Sequence, residues 1–429
     1  MPDSTHRGPI VTAAGTGINL ALGVLYAWSI FKGAIKQSME QGGEGAFNWN
    51  PASLNDPYAV CCLVFACTMV LAGKCQDHFG PRITATIGGI LVGIGFTLAS
   101  QTTAYWGWIF GFGIFAGAGI AFGYSAATPA ALKWYPPNKT GRIAGIVVSG
   151  FGLASVYIAP LATYLLLQYG LSNTMLFLGA AFLVVVVALA AFLVNPPATY
   201  TPPGFVDRRC ESDNNRERRD VFRDENLTLA ELLQNSQFWL LWTIFFIGAG
   251  AGLMVIGSVA GMAKQSLGAN AFMAVAILSV GNAAGRILAG TLSDKIGRKK
   301  TLALAFSFQA FLMLGAIYVT GSTSSGPLLI VLLATFIGFN YGANLALFPS
   351  FAKDLWGIKH FGVNYGLLFT SWGIGGFVMS RASEVMRVSS GSFSSSFLAA
   401  ASLLALGTVL IYFIDDHKHA IRKQVRNTQ

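Results

Sequence analysis

The sequence predicts an all-α membrane protein with twelve transmembrane helices in two six-helix, pseudo-symmetric bundles. Composition, a series of long apolar runs and an internal repeat point there together. Of 429 residues, 54% are hydrophobic and 11% charged, with 50 glycines, a balance too apolar and charge-poor for an ordinary soluble domain. A chain of this kind hides its backbone polar groups from lipid by forming helices.

Twelve apolar stretches are long enough to span a bilayer. They run over 10–34, 54–74, 83–101, 105–131, 142–168, 172–194, 238–262, 271–292, 300–320, 326–351, 361–386 and 394–414. Met1 to Gly8 is a short polar lead, and the apolar run after it has no small-residue cleavage pattern, so the first stretch is expected to remain as a helix. Between the sixth and seventh lies 195–237, which carries Pro196, Pro197, Pro202 and Pro203 and then a mixed-charge run. This reads as a linker between an N-terminal bundle, 1–194, and a C-terminal bundle with its tail, 238–429. Thr228 and Glu231 have capping-box spacing near its end, which predicts a short helix there.

The repeat is a turn. Gly73, Asp77 and Gly80 after the second stretch recur as Gly290, Asp294 and Gly297 after the eighth, at a constant offset of 217 residues. Fainter echoes link Pro129 and Lys133 to Pro349 and Lys353, and Gly145 and Gly152 to Gly366 and Gly373. A parallel repeat of six helices implies a substrate site between the halves near the midplane, with alternating access by rocking.

The formal charge of +10 does not point to nucleic acid. Most Lys and Arg fall in alternate loops, the positive-inside pattern that puts both termini in the cytoplasm of a plasma-membrane protein. Cys61, Cys62, Cys67 and Cys75 cluster in or beside one apolar stretch and Cys210 lies in the linker; all read as small packing residues. Gly111 to Gly117 mimics part of a nucleotide fingerprint inside an apolar helix, where close helix packing explains it. His417 and His419 sit in a charged tail, and the glycosylation-like Asn138 and Asn226 fall on the expected cytoplasmic side. No spacing suggests a resident metal or cofactor, and no nucleophile and base share one depth, so an enzyme is not expected.

One cation stands apart. From Ala271 to Ser293 the only charged side chain is Arg286, about 12 Å inward of Asp294 at ~1.5 Å per residue. A guanidinium at that depth costs about 3 kcal/mol or more unless it faces protein or water, and it does not deprotonate. Every Asp and Glu can be placed in a loop, a tail or a helix end, Asp56 and Glu384 at outer ends among them. The expected partner is therefore a substrate carboxylate, which guanidinium pairs bidentately; backbone carbonyls and water are the alternative.

The doubled turn resembles that of the major facilitator superfamily. The resemblance implies a latch at Gly73, Asp77 and Arg82 and at Gly290, Asp294 and Arg298, with His78 departing from the usual basic residue in the first copy. Leu132 to Pro136, Gly141 to Gly145, Phe348 to Ser350, Asn364 to Gly373 and Tyr26 to Ser29 resemble the oxalate/formate antiporter and monocarboxylate transporter branch. That likeness implies transport of small carboxylates, with Arg286 matching the branch's intramembrane arginine.

Around Arg286, Asn282 lies one helical turn earlier on the same face, where some monocarboxylate transporters carry Asp. Tyr124 and Tyr341 lie at depths bracketing that of Arg286, and Tyr26, Asn344, Tyr365, Phe369 and Trp372 are further candidates. For each aromatic, helix packing is the competing reading. Trp372 stands where oxalate-handling relatives are expected to carry a second cation, so a monoanion such as lactate, pyruvate or formate is favoured. The functional expectation is a monomeric proton symporter of small monocarboxylates, with anion exchange as the alternative. A cation exporter would want a midplane acid; a non-transporting carboxylate sensor is a third reading.

Overall fold

The computed structural model describes residues 7–415 except 44, 137–138, 198–199, 201–226, 268–270, 322–326, 358 and 391–393. Side chains at 52, 140, 256–275, 320–321, 327, 330, 384 and 387–389, Glu384 among them, are also outside the described set, as are Cys210, Asn138, Asn226, His417 and His419.

Every regular element among the described residues is helical, with no strand among them. The first crossing is built from α1 (Arg7–Leu22), a 3-10 segment (Gly23–Ala27) and α2 (Trp28–Gln41). Then come α3 (Asp56–Phe79) and α4 (Pro81–Ser100). The fourth crossing joins α5 (Tyr105–Trp108), a π-helical stretch (Ile109–Ala116) and α6 (Gly117–Leu132). Helix α7 (Thr140–Ala190) is 51 residues long and turns at Gly170, whose φ of 72° breaks it into two crossings.

The second half holds α8 (Leu229–Gln234), α9 (Ser236–Leu267), α10 (Ala271–Ile296), α11 (Arg298–Gly321), α12 (Pro327–Trp356), α13 (Phe361–Ser390) and α14 (Ser394–Ile411). All but α8 are crossings, which completes twelve. The helices overrun the apolar runs of the sequence because a helix ends where its caps end it, not where hydropathy falls. Before α8 the capping box forms: the Thr228 amide donates to Glu231 Oε2 at 2.8 Å. Those bonds to the charged form hold the Glu231 carboxyl below its usual value.

Large apolar side chains such as Leu167, Phe311, Leu328 and Tyr318 face outward, as a lipid-facing surface requires. Inside, helices meet on glycine. A Cβ on Gly88 would press on Gly123 N and Gly119 O, and one on Gly95 on Gly111 O, so α4 and the fourth crossing touch backbone to backbone. The π stretch follows from the same need: Gly111 and Gly113 fit against α4 and α3, and the wider turn lets both faces meet.

Cys61 and Cys62 are buried as expected, but Cys67 is exposed, because its place on α3 turns it away from the helices that cover its neighbours. It does not pack in the core. Gly80 and Gly297, at φ of 83° and 97°, make the two repeated turns. Only glycine adopts that conformation readily.

Gly285 on α10 seats against the Phe339 carbonyl of α12, so Gly285→Ala forces those helices apart. The expected cost is about 1–3 kcal/mol, seen as a lower apparent unfolding temperature in detergent. Gly315→Ala on α11, which meets nothing within 4 Å, is expected to leave that temperature unchanged or raise it.

Candidate functional site

Arg286 is fully buried at the junction of the two halves. Its Nε donates to Asn282 Oδ1 at 2.9 Å, one turn away on the same helix. Nη1 donates to the backbone carbonyl of Val148 on α7, and Nη2 to the Tyr26 hydroxyl at 3.4 Å. Among the described residues no carboxylate lies within ion-pair distance of it. The cation is thus held by neutral oxygens, two of them from the other half.

Small residues make this reach possible. A Cβ on Gly145 would strike the Arg286 carbonyl, and one on Gly152 would lie 3.3 Å from both Arg286 Nε and Asn282 Oδ1. The same crossing recurs between α3 and α13, where Gly366 meets the Met69 carbonyl and Gly373 lies against Cys62 O and Ala66 Cβ. Gly23 has Phe151 O and Ala154 Cβ where a Cβ would sit. The first crossing therefore lies tight on α7, and its 3-10 turn carries Tyr26 to Arg286.

Tyr26 is hydrogen-bonded at 2.9 Å to Tyr341 on α12, and Trp372 Nε1 on α13 donates to the Tyr341 hydroxyl at 2.8 Å. A continuous chain thus runs from Trp372 through Tyr341 and Tyr26 to Arg286, crossing between the halves. Tyr124 on α6 and Tyr365 on α13 also feel the guanidinium's charge, and their buried hydroxyls face each other. Asn344 Oδ1 is buried without a hydrogen-bond partner among the described residues. Phe369 stacks on Trp372 at 5.1 Å and packs on Tyr124 at 5.3 Å.

Asn282, Tyr26, Tyr124, Tyr341, Tyr365, Phe369 and Trp372 therefore converge about Arg286, and three groups join them that sequence reading missed. Phe65 touches Tyr124, Phe369 and Trp372, and Phe151 packs edge-on against Tyr26. The third is the Val148 carbonyl. Aromatic residues in apolar helices, and a backbone oxygen, carry no signal in sequence. A surface cavity of about 390 Å³ lies at the far end of α4, lined by Phe47, Ser100, Thr102 and Trp108 and by no charged residue, and so gives a carboxylate no cation to pair with.

At the repeated turns each aspartate caps a helix of the opposite half. Asp294 accepts from the amides of Gly141 and Arg142 at 3.0 and 2.9 Å, at the start of α7. Asp77 accepts from those of Gly362 and Val363 at 3.2 and 3.1 Å, at the start of α13. An anion at a helix N-terminus is favourable twice over, through amide bonds and the macrodipole. Gly290 sits on the Gly141 carbonyl and Gly73 on that of Gly362.

The two turns differ in their basic partners. Arg298 donates to Asp294 at 2.5 Å, Ser293 at 2.6 Å and Asp354 at 2.9 Å. Its counterpart in the first half is Pro81. Arg82 instead donates to the Ala191 carbonyl at 2.7 Å, at the end of α7, as Lys299 does to those of Tyr412 and Ile414 beyond α14. Near Asp77 the cation is Lys133, whose ammonium burial pushes below its usual value against the pull of Asp77.

The chain belongs to the major facilitator superfamily, whose sequence profile matches residues 18–380. It is 28% identical over 382 residues to YhjX, an uncharacterized MFS-type transporter of Escherichia coli K12, covering 87% of each chain. To the oxalate:formate antiporter of Oxalobacter formigenes it is 27% identical, over 81% of this chain and 77% of that one. Monocarboxylate transporter 13 of Bos taurus is 26% identical, over 78% and 73%. Among solved structures the Escherichia coli fucose:proton symporter FucP superposes with a TM-score of 0.65 at 14% identity, covering 96% of this chain and all of that one, a likeness of fold. The protein is a multi-pass membrane transporter of this superfamily.

Because Asp294 joins a wider network than Asp77, Asp294→Asn is expected to lower the unfolding temperature more than Asp77→Asn. Each charged hydrogen bond lost is worth about 1.5–3 kcal/mol. Thermal unfolding of the two purified variants in one detergent checks the order.

Proposed function

We propose that the protein is a secondary active transporter of small monocarboxylates of the lactate, pyruvate and formate class, with the substrate carboxylate anchored on Arg286. The observation that carries this reading is a fully buried arginine with no carboxylate in ion-pair distance among the described residues. A permanent cation in such a place is best matched by an anion that comes and goes. Asn282 holds the guanidinium plane, while Tyr124, Tyr341, Tyr365 and Tyr26 offer hydroxyls to the remaining substrate oxygens and Phe369 shapes an apolar wall. A single fixed charge suits a monoanion, since Trp372 supplies an indole N–H and no second cation.

In this reading residues 1–194 and 238–429 rock about the central site, joined by 195–237, and the Asp77 and Asp294 turns latch the cytoplasmic side of a plasma-membrane protein. Because a lone anion entering a negatively charged interior works against the potential, proton symport is the coupling we favour. Kinship with an oxalate:formate antiporter supports anion exchange as the second reading.

Uptake of radiolabelled L-lactate into proteoliposomes, with and without an inward proton gradient, tests the proposal. Gradient-driven uptake is expected for the intact protein. Arg286→Ala and Arg286→Lys are expected to lose at least about thirty-fold, the low end for removing one partner of a buried charge pair. Unchanged uptake in Arg286→Ala would remove the anchor from the scheme.

A further inference from the structure

Arg286 is met in this structure by the chain's own oxygens while both aspartate latches are made. Asn282 Oδ1 occupies Nε, the Val148 carbonyl Nη1 and the Tyr26 hydroxyl Nη2. Asn282 shares Arg286's helix and moves with it. Val148 and Tyr26 belong to the other half, so their bonds form only when the halves are together.

Tyr26 is the adaptable member of that pair. It is a side chain on a short 3-10 turn, and it retains some exposure while Arg286 has none. Its hydroxyl is held from the far side by Tyr341, and Tyr341 by Trp372 Nε1. Whichever of the two phenols donates, the chain is unbroken and both ends lie in the second half.

We propose that Tyr26 acts as a stand-in for the substrate carboxylate, seated on Arg286 Nη2 when no anion is bound, so that the carrier can close and return unloaded. The inference rests on the monocarboxylate reading above and concerns how that site is coupled. A buried guanidinium facing no acceptor opposes closure. A carrier whose arginine can be satisfied only by substrate is therefore confined to exchange. A phenol oxygen supplies an acceptor without a charge, so closing without an anion becomes possible while a carboxylate is still preferred. Arriving substrate displaces Tyr26 from Nη2, and Tyr341 and Trp372 hold the displaced phenol's position for its return.

The test is a ratio. Net proton-driven uptake of radiolabelled L-lactate into empty proteoliposomes is divided by uptake into proteoliposomes preloaded with unlabelled lactate. For Tyr26→Phe this ratio is expected to fall at least tenfold below that of the intact protein. Tyr341→Phe, which removes the far support, is expected to lower it by a smaller factor and serves if Tyr26→Phe fails gel filtration as a folded monomer. If net uptake and exchange fall by the same factor, Tyr26 is no more than a ligand or a packing residue and the inference is wrong. Exchange without net uptake in the intact protein also overturns it, because an unloaded return then does not occur. If the intact protein moves no lactate, pyruvate or formate in either assay, the monocarboxylate reading itself fails and this inference with it.

Discussion

The constraint on which this structure turns is a cation that cannot give up its charge, set among helices that present no carboxylate to it among the described residues. A guanidinium buried with unmet donors would cost several kcal/mol. The chain answers with an amide on the same helix, a backbone carbonyl and a phenol. Those three acceptors explain otherwise unrelated features. Gly145 and Gly152 let α7 approach closely enough to offer its carbonyl, and the 3-10 turn after Gly23 brings Tyr26 within reach. The aromatic wall of Phe65, Tyr124, Phe151 and Phe369 then encloses the oxygens in a low dielectric, where each polar contact to the charge is strengthened.

Much of this was legible in sequence, for a physical reason. Lipid forces long apolar helices, so the crossings stand out as runs, and a permanent charge inside one of them stands out by contrast. Asn282 was found through helical periodicity, and Tyr124 and Tyr341 through depth along their helices. What the sequence hid depends on contacts between distant segments. The 3-10 turn at Gly23–Ala27 and the π stretch at Ile109–Ala116 exist because glycines there meet other helices, and the identity of the neighbour is not local information. The Val148 carbonyl is invisible because every residue has one.

The turns show how far a motif can be carried. Gly80 and Gly297 adopt the same backbone, and Asp77 and Asp294 cap the same kind of helix end. Yet the basic residues of the two copies have different work. Arg82 and Lys299 tie the last helix of their own half by its carbonyls, while Arg298 alone joins the aspartate. A spacing rule recognises that a cation is present and not which oxygen it faces.

The glycine contacts beside those aspartates have a mechanical consequence. Gly73 on Gly362 and Gly141 on Gly290 are backbone against backbone, and the glycines themselves have no side chain that could rotate to keep partial contact if the helices part. Each aspartate also grips two successive amides of one rigid helix end, so both bonds stretch together. In the proposed rocking of the halves, such a joint would have a seated position and a released one with little between. It would then act as a detent rather than a hinge, and make the halves click between positions where a joint of long side chains would glide.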